Sequence, residues 1–142
     1  MNQNAEKTYL LAKKKAETIG FCQETINLYE KAANLGNLEA QYWMGQIYFF
    51  GLYSNIANER NYELALHWYQ LAAENEHPEA QYSLSYMYDM GLGTPKNPQE
   101  FKKWHLRALS NNSPSALKRE RDDNLFKKGV SMGIRSIFGN FF

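Results

Sequence analysis

Cysteine is almost absent from this sequence, which has one such residue, Cys22, in 142 positions. A single cysteine cannot form an internal disulfide, so nothing in the sequence requires an oxidising compartment. We interpret Cys22 as a half-buried, inert thiol, because no histidine lies beside it to activate it as a nucleophile. The sequence also lacks an apolar signal core at the N-terminus and any apolar run that could span a bilayer. We therefore expect a cytoplasmic protein.

An excess of charge of either sign is also missing. The formal net charge is +1, whereas a nucleic-acid-binding domain needs a strongly basic face. The one basic triplet, at positions 13–15, is spread around the surface of a helix by its spacing, so we interpret it as solvated. We expect no nucleic-acid partner.

Residues suited to catalysis or metal binding are few and scattered. The three histidines, His67, His77 and His105, belong to different segments, and neither a His-x-x-x-His nor a Cys-x-x-Cys spacing occurs. The turn at 91–95 follows a predicted helix and lacks the third glycine of a phosphate-binding loop. The sequence therefore predicts no catalytic residues, no metal site, no cofactor and no enzymatic activity.

An internal repeat dominates what the sequence does contain. The run Glu-Ala-Gln-Tyr occurs at 39–42 and again at 79–82, an offset of 40 residues that also separates Tyr29 from Tyr69 and Gly51 from Gly91. A later step of 36 residues separates Trp68 from Trp104. Several residue types that recur together at one offset indicate a stack of equivalent helix pairs.

Helical periodicity and capping residues predict about seven helices, so the fold class is all-α. Asn37 is a predicted N-cap, and Gly45 lies inside the helix that follows, where its missing side chain would allow close approach of a neighbouring helix. The predicted helices cover residues 5–18, 21–34, 38–50, 61–75, 78–90, a segment starting at 98, and 114–128.

The last predicted helix departs from the repeat pattern. Arg121 and Asn124 stand where the earlier first helices have a small residue and a tyrosine, and residues 118–123 are highly charged. A repeat array needs a polar outer face at its end, since no neighbour covers that face. We interpret residues 114–128 as a C-terminal capping helix.

The C-terminal tail, residues 129–142, is apolar and rich in phenylalanine, with three glycines that weaken a helical interpretation. Three alternatives stay open. The tail could fold back over the last helices, dock on a partner or a second copy of the chain, or contact a membrane surface as a cationic amphipathic segment.

The repeated residues resemble the Sel-1-like repeat, a relative of the tetratricopeptide repeat. The matching order is Glu-Ala-Gln-Tyr-x-Leu/Met-Gly-x-x-Tyr-x-x-Gly followed, after a loop, by Ala-x-x-Trp-Tyr-x-x-Ala-Ala. One copy covers residues 38–76 and a second covers 78–112. Residues 5–34 resemble a degenerate copy, so that residues 1–128 form one domain. Ser85 in place of the small glycine and His105 in place of the aromatic at Tyr69 depart from the pattern.

The resemblance implies an α-solenoid of antiparallel helix–turn–helix repeats and a role in protein binding. Such repeats are generally scaffolds that hold a partner in a concave groove lined by the first helix of each pair. Bacterial members are often adaptors, regulators or partners that neutralise toxins and effectors.

The predicted groove combines tyrosines with polar and charged side chains on the first helices. Tyrosine offers a large rigid contact area with a polar tip, which suits recognition. The alternative is that these tyrosines only pack the solenoid. The predicted partner-binding residues are Tyr9, Lys13, Glu39, Tyr42, Gln46, Phe49, Glu79, Tyr82, Tyr86 and Asp89.

The sequence thus predicts a non-enzymatic protein–protein interaction module, one form of which is an adaptor or a toxin-neutralising protein. The alternative is a self-associating scaffold that uses the Phe-rich tail, and the oligomeric state stays open. If Tyr42 and Tyr82 are exposed in the groove, replacing both with alanine reduces partner affinity with little loss of thermal stability.

Overall fold

The computed structural model describes residues 2–53 and 59–138, with side chains as far as Lys128. Within these ranges the chain forms seven α-helices and no strands, which confirms the predicted fold class. Of the segment that joins the predicted helices 38–50 and 61–75, residues 54–58 lie outside the described part of the chain. The helices are α1 (Gln3–Ile19), α2 (Gln23–Asn34), α3 (Leu38–Phe50), α4 (Tyr62–Glu74), α5 (Pro78–Met90), α6 (Pro98–Ser110) and α7 (Pro114–Phe138).

Consecutive helices pack as antiparallel pairs, α1 with α2, α3 with α4 and α5 with α6, and each pair stacks on the next. The predicted N-cap Asn37 accepts a hydrogen bond from the Ala40 amide at 2.8 Å, and Gly51 ends α3 in the left-handed conformation. Asn97 caps α6 in the same way, by accepting hydrogen bonds from the Gln99 and Glu100 amides, and the Trp104 indole donates to the Glu100 carboxylate at 3.0 Å.

Small residues let the second helices lie close to their neighbours. Ala32, Ala33, Ala72 and Ala73 are at most 1% exposed. The buried apolar residues form two clusters, and the partly buried Tyr48 packs against both of them. Large side chains fill the space between the helices, among them Tyr29, Tyr69, Met44, Leu84 and Met87.

A buried glutamine on a first helix is hydrogen-bonded to the second helix before it and to the second helix after it. The Gln81 amide nitrogen donates to the Ala73 carbonyl at 3.1 Å, and the Gln81 side-chain oxygen accepts from Asn111 at 2.9 Å. Gln41 repeats this arrangement with Ala33 and Asn75, each at 3.3 Å. The glutamine of the repeated sequence therefore bridges three consecutive segments while satisfying its own buried polar atoms.

Helix α7 is longer than predicted, since it continues to Phe138 rather than ending near Lys128. Gly129 and Gly133 lie inside it, at a cost of about 1 kcal/mol each relative to alanine. The residues of the predicted tail up to 138 therefore extend the helix, and residues 139–142 lie outside the described part of the chain. The first half of α7 packs on α5 and α6, where Ala116 is fully buried.

Candidate protein-binding groove

The glutamates of the predicted groove join each repeat to the next. Glu39 lies 3.2 Å from Nε2 of His77, and Glu79 accepts a hydrogen bond from the Ser113 hydroxyl at 2.6 Å. Glu6 accepts one from the Asn37 side chain at 2.9 Å. In every case the glutamate lies early in one first helix and its partner is the residue immediately before the next first helix. These carboxylates therefore stabilise the stacking of repeats.

Each of the two ring nitrogens of His77 makes its own polar contact. Its Nδ1 accepts a hydrogen bond from the Ala80 amide at 3.1 Å and so caps α5. Because that nitrogen is an acceptor, the proton of the neutral ring lies on Nε2, which can donate to Glu39. The ring also stacks on Tyr42, with centroids 4.5 Å apart. One buried side chain thus connects α5 to two groove residues of the previous repeat.

Tyr9, Tyr42 and Tyr82, the tyrosines at equivalent positions of the three first helices and here called the tyrosine column, are part of the packing between first and second helices. Tyr42 contacts Tyr69 with ring centroids 6.0 Å apart, and Tyr82 lies 6.3 Å from the equivalent ring, His105. Tyr9 packs edge-on against Tyr29 at 6.1 Å and is only 9% exposed. Tyr9 therefore packs in the core between α1 and α2, which agrees with the alternative that the tyrosines pack the solenoid, and its part in partner binding stays a prediction.

Burial also raises the pKa of Tyr42 in the tyrosine column. Burial, followed by the nearby Glu79 carboxylate, raises the pKa of Tyr42 to about 12. The Tyr42 hydroxyl accepts a hydrogen bond from Gln46 at 2.5 Å. Tyr42 is thus half-buried and fixed on both its ring and its hydroxyl, while Tyr82 is half-buried at the border of two pockets.

A pocket of 340 Å³, here called the groove pocket, opens between α3 and α5. Side chains of α3 and α5 line its sides, and Tyr69 of α4, which is 1% exposed, also lines it. Its lining is mostly aromatic, with a few polar groups, as is common in ligand pockets. The lining residues are Gln46, Phe49, Phe50, Tyr69, Tyr82, Ser83 and Tyr86.

Four of the predicted residues, Gln46, Phe49, Tyr82 and Tyr86, meet in this pocket. Sequence reasoning missed Phe50, Tyr69 and Ser83. Phe50 could have been predicted, because it is a large apolar residue at the C-terminal end of α3, where the structure leaves it exposed. Tyr69 could not have been predicted as a groove residue, because its position on a second helix indicates a residue of the hydrophobic core.

The other predicted residues lie outside the groove pocket. Lys13 lines a smaller pocket of 190 Å³ together with Phe21 and Trp43. Asp89 forms an ion pair of 3.0 Å with Arg119 of α7. Glu39 and Glu79 take part in the contacts between repeats described above.

A second pocket, here called the charged pocket, adjoins the first and has a volume of 380 Å³. The two pockets share Tyr82, so an aromatic pocket and a charged pocket adjoin on this surface. Arg119 is held in place by Asp89 and by the Phe101 ring, whose centroid lies 5.0 Å from the guanidinium carbon. The charged pocket is lined by Tyr82, Ser115, Lys118, Arg119, Asp122 and Asp123.

Cys22 is exposed, so the prediction that it is half-buried is wrong. It occupies the N-cap position of α2, where the chain turns at the protein surface. Hydrogen bonds with the backbone and side chain of Thr25 hold the pKa of the thiol below its usual value. Within residues 2–53 and 59–138, no group of three or more potential ligands could hold a metal ion. Among the helices of those residues, none is long and apolar enough to cross a membrane.

Comparison with known proteins identifies the repeated unit. The model of the Sel1 repeat matches residues 22–37, 38–77 and 78–113, which is well over half of the chain. The chain is also similar to the Sel1 repeat protein from Oxalobacter formigenes, whose crystal structure superimposes with a TM-score of 0.69 at 28% identity. That similarity covers 80% of this chain and 46% of the other, and it confirms the solenoid fold.

Two curated proteins are similar over part of their length. Protein sel-1 homolog 2 of Mus musculus is 31% identical over 93 residues, which is 63% of this chain and 13% of the mouse protein. Chitin synthase regulatory factor 3 of Schizosaccharomyces pombe is 30% identical over 106 residues, which is 75% of this chain and 11% of the yeast protein. The chain therefore spans only a small part of these relatives.

Proposed function

The chain belongs to the Sel1 repeat family, and on that premise we propose that it is a non-enzymatic module that binds an extended segment of a partner protein in its concave groove. Sel1 repeats generally mediate protein–protein interactions. The yeast relative is named as a regulatory factor of another protein, chitin synthase, which is in keeping with such a role. An adaptor or a protein that neutralises a toxin or effector is a specific form of this proposal.

The observation that carries the proposal is the groove pocket, which two successive repeats build together. Phe50 on α3 is 52% exposed although it is large and apolar, and Tyr86 on α5 is half-buried opposite it. An apolar side chain of a partner could therefore cover aromatic surface that the solenoid leaves accessible. The adjoining charged pocket would then contact polar residues that follow in the same segment.

The geometry favours a segment with one bulky apolar anchor. A volume of 340 Å³ accommodates one large side chain and its backbone rather than a whole helix. Gln46 and Ser83 supply polar groups beside the aromatic rings and could bind the backbone of an extended segment.

The test is a selection of peptides from a random displayed library on the full chain, followed by titration of the best peptide. We expect peptides with a bulky apolar residue, and binding at least about tenfold weaker for Phe50→Ala combined with Tyr86→Ala. The matched control is Leu106→Ala, since Leu106 is 54% exposed but lines neither pocket.

Two results would contradict the proposal. One is a selection that yields no peptide dependent on the groove. The other is equal loss of binding in the groove variant and in Leu106→Ala, which would place recognition elsewhere on the solenoid.

A further inference from the structure

Residues 121–128 of α7 are exposed and include two large apolar side chains. Every residue from Arg121 to Lys128 is exposed, although Ala116 on the same helix is fully buried. Leu125 is 59% exposed and Phe126 is 73% exposed. The polar positions just before them already give the last repeat a hydrophilic end, so these two residues are not needed to cover it.

The sequence beyond Phe126 continues the apolar character on one face of the same helix. At about 100° per residue, the apolar and glycine positions from 125 to 137 fall within an arc of roughly 200°, whereas Phe138 falls beside Lys127 outside that arc. Lys127, Lys128 and Arg135 fall in the remaining arc by the same spacing. The positions of the apolar arc are Leu125, Phe126, Gly129, Val130, Met132, Gly133, Ile134 and Ile137.

The charge of this segment has one sign. Between Asn124 and Phe138 the sequence contains three cationic residues and no aspartate or glutamate. The solenoid before it is mixed in charge, and the acidic residues Asp122 and Asp123 directly precede the segment. A partner surface with negative charge therefore complements this half of α7.

The width of the apolar arc indicates which kind of partner could cover it. Two helices that pair bury a narrow stripe on each, whereas an arc of roughly 200° would stay largely uncovered in such a pair. The solenoid of the same chain does not cover the described part of this segment, since residues 121–128 are all exposed. A lipid surface accepts a whole hemisphere of a helix.

We infer that residues 125–138 form an amphipathic anchor that lies in the plane of a membrane surface containing anionic lipids. A helix of 14 residues is about 21 Å long, shorter than the roughly 30 Å hydrocarbon core, so it lies in the interface. The cationic arc faces the headgroups and the apolar arc enters the acyl boundary. The solenoid, with its groove, is then held beside the membrane.

The test is flotation of the full chain with vesicles of phosphatidylcholine, with or without phosphatidylglycerol. We expect binding to the vesicles that contain phosphatidylglycerol and at least about tenfold weaker binding to phosphatidylcholine alone, with further weakening by salt. Binding should be unaffected by Tyr86→Ala, since the groove is a separate surface.

Two variants test the contributions of the apolar arc and of the cationic residues to vesicle binding. Leu125→Ser with Phe126→Ser should reduce vesicle binding at least about tenfold by removing apolar contact. Lys127→Glu with Lys128→Glu should reduce it by a similar factor through charge. The matched control is Lys14→Glu with Lys102→Glu, which makes the same change in net charge at exposed positions of α1 and α6.

Equal binding to both kinds of vesicle, or equal loss of binding in the charge variant and its control, would overturn the inference. So would a stable dimer in buffer that dissociates in the Leu125→Ser, Phe126→Ser variant and does not bind vesicles. That last result would assign the face to a second copy of the chain.

Discussion

Gly45 of α3 lies so close to Tyr69 of α4 that a β-carbon at position 45 would be 2.4 Å from Cδ1 of the ring. The contact explains why a residue that weakens helices lies in the middle of α3. It also confirms the prediction that Gly45 allows close approach of a neighbouring helix. Tyr69 in turn lines the groove pocket, so this contact positions a groove residue.

Replacing Gly45 with alanine should therefore destabilise the protein, although alanine favours helices by about 1 kcal/mol. The added methyl group overpacks the contact with Tyr69, and we expect a net loss of about 1–3 kcal/mol. Urea denaturation measures it. An increase in stability would show that the ring moves away freely.

The next repeat suggests how this loss could be relieved. At the equivalent positions the chain has Ser85 and His105, a larger residue paired with a smaller ring. Gly45→Ser should cost less in a Tyr69→His background than alone, with a coupling energy of about 1 kcal/mol. Strictly additive effects of the two substitutions on the unfolding free energy would refute a compensating pair.

Sequence reasoning found the architecture because the capping residues and apolar periods act locally. It placed Asn37, Gly51 and Pro78 at helix boundaries, where the structure also has them. Roles that depend on a neighbouring repeat were harder to see. A column of tyrosines at one offset indicates a shared environment, but only the packing against Tyr29, Tyr69 and His105 shows how much of each ring is buried.

The C-terminal half of α7 was missed for a different reason. Two glycines lower the helical propensity of the segment, and the gain from continuing an existing helix is not visible in single-residue preferences. The glutamates of the groove illustrate a third limit. Their spacing places them on the correct face, yet their partners Asn37, His77 and Ser113 lie 31 to 38 residues away in sequence.

Substitution of Tyr42 should mainly reduce the free energy of unfolding, whereas substitution of Tyr86 should mainly reduce peptide affinity. Tyr42→Ala removes a ring that contacts both Tyr69 and His77, so we expect a loss of about 2–4 kcal/mol in unfolding free energy. Tyr42→Phe keeps the ring and should lose about 1 kcal/mol, while Tyr86→Ala should weaken peptide binding with a smaller loss of stability.

This expectation replaces the simpler one that the Tyr42 and Tyr82 double alanine variant loses partner affinity with little loss of thermal stability. Thermal unfolding of the single variants decides between them. A melting temperature of Tyr42→Ala equal to that of the native chain would show that its ring contacts are dispensable and would restore Tyr42 as a binding residue alone.

Alkaline pH should unfold the protein through its buried tyrosines. Burial raises the pKa of Tyr29 and of Tyr42 to about 12, above the roughly 10 of an unfolded chain. A group with a raised pKa in the folded state stabilises it below the unfolded value and loses that contribution as the pH rises through 10 to 12.

Denaturation with urea at a series of alkaline pH values measures this effect, with phenolate absorbance as the second signal. Tyr29→Phe combined with Tyr42→Phe should flatten the decline in unfolding free energy. A decline of unchanged slope in that variant would assign the alkaline transition to other groups.

Glu79 should be the carboxylate whose loss most weakens the stack of repeats. It accepts hydrogen bonds from the Ser113 hydroxyl at 2.6 Å, the Ser115 hydroxyl at 2.6 Å and the Ser115 amide at 3.1 Å. We expect Glu79→Ala to cost about 2 kcal/mol and to loosen α7 from α5. Glu63→Ala is the matched control, since Glu63 also lies in the first turn of its helix but is exposed.

The pH dependence of Glu79 gives an independent measurement. Burial alone would raise its pKa, but the hydrogen bonds from Ser113 and Ser115 outweigh burial and hold the pKa below its usual value. A lowered pKa stabilises the folded state above the unfolded value of about 4 and loses that contribution as the pH falls further. The native chain should therefore lose stability more steeply than Glu79→Ala in this acid range, and parallel curves would show that the carboxylate does not hold the last helix.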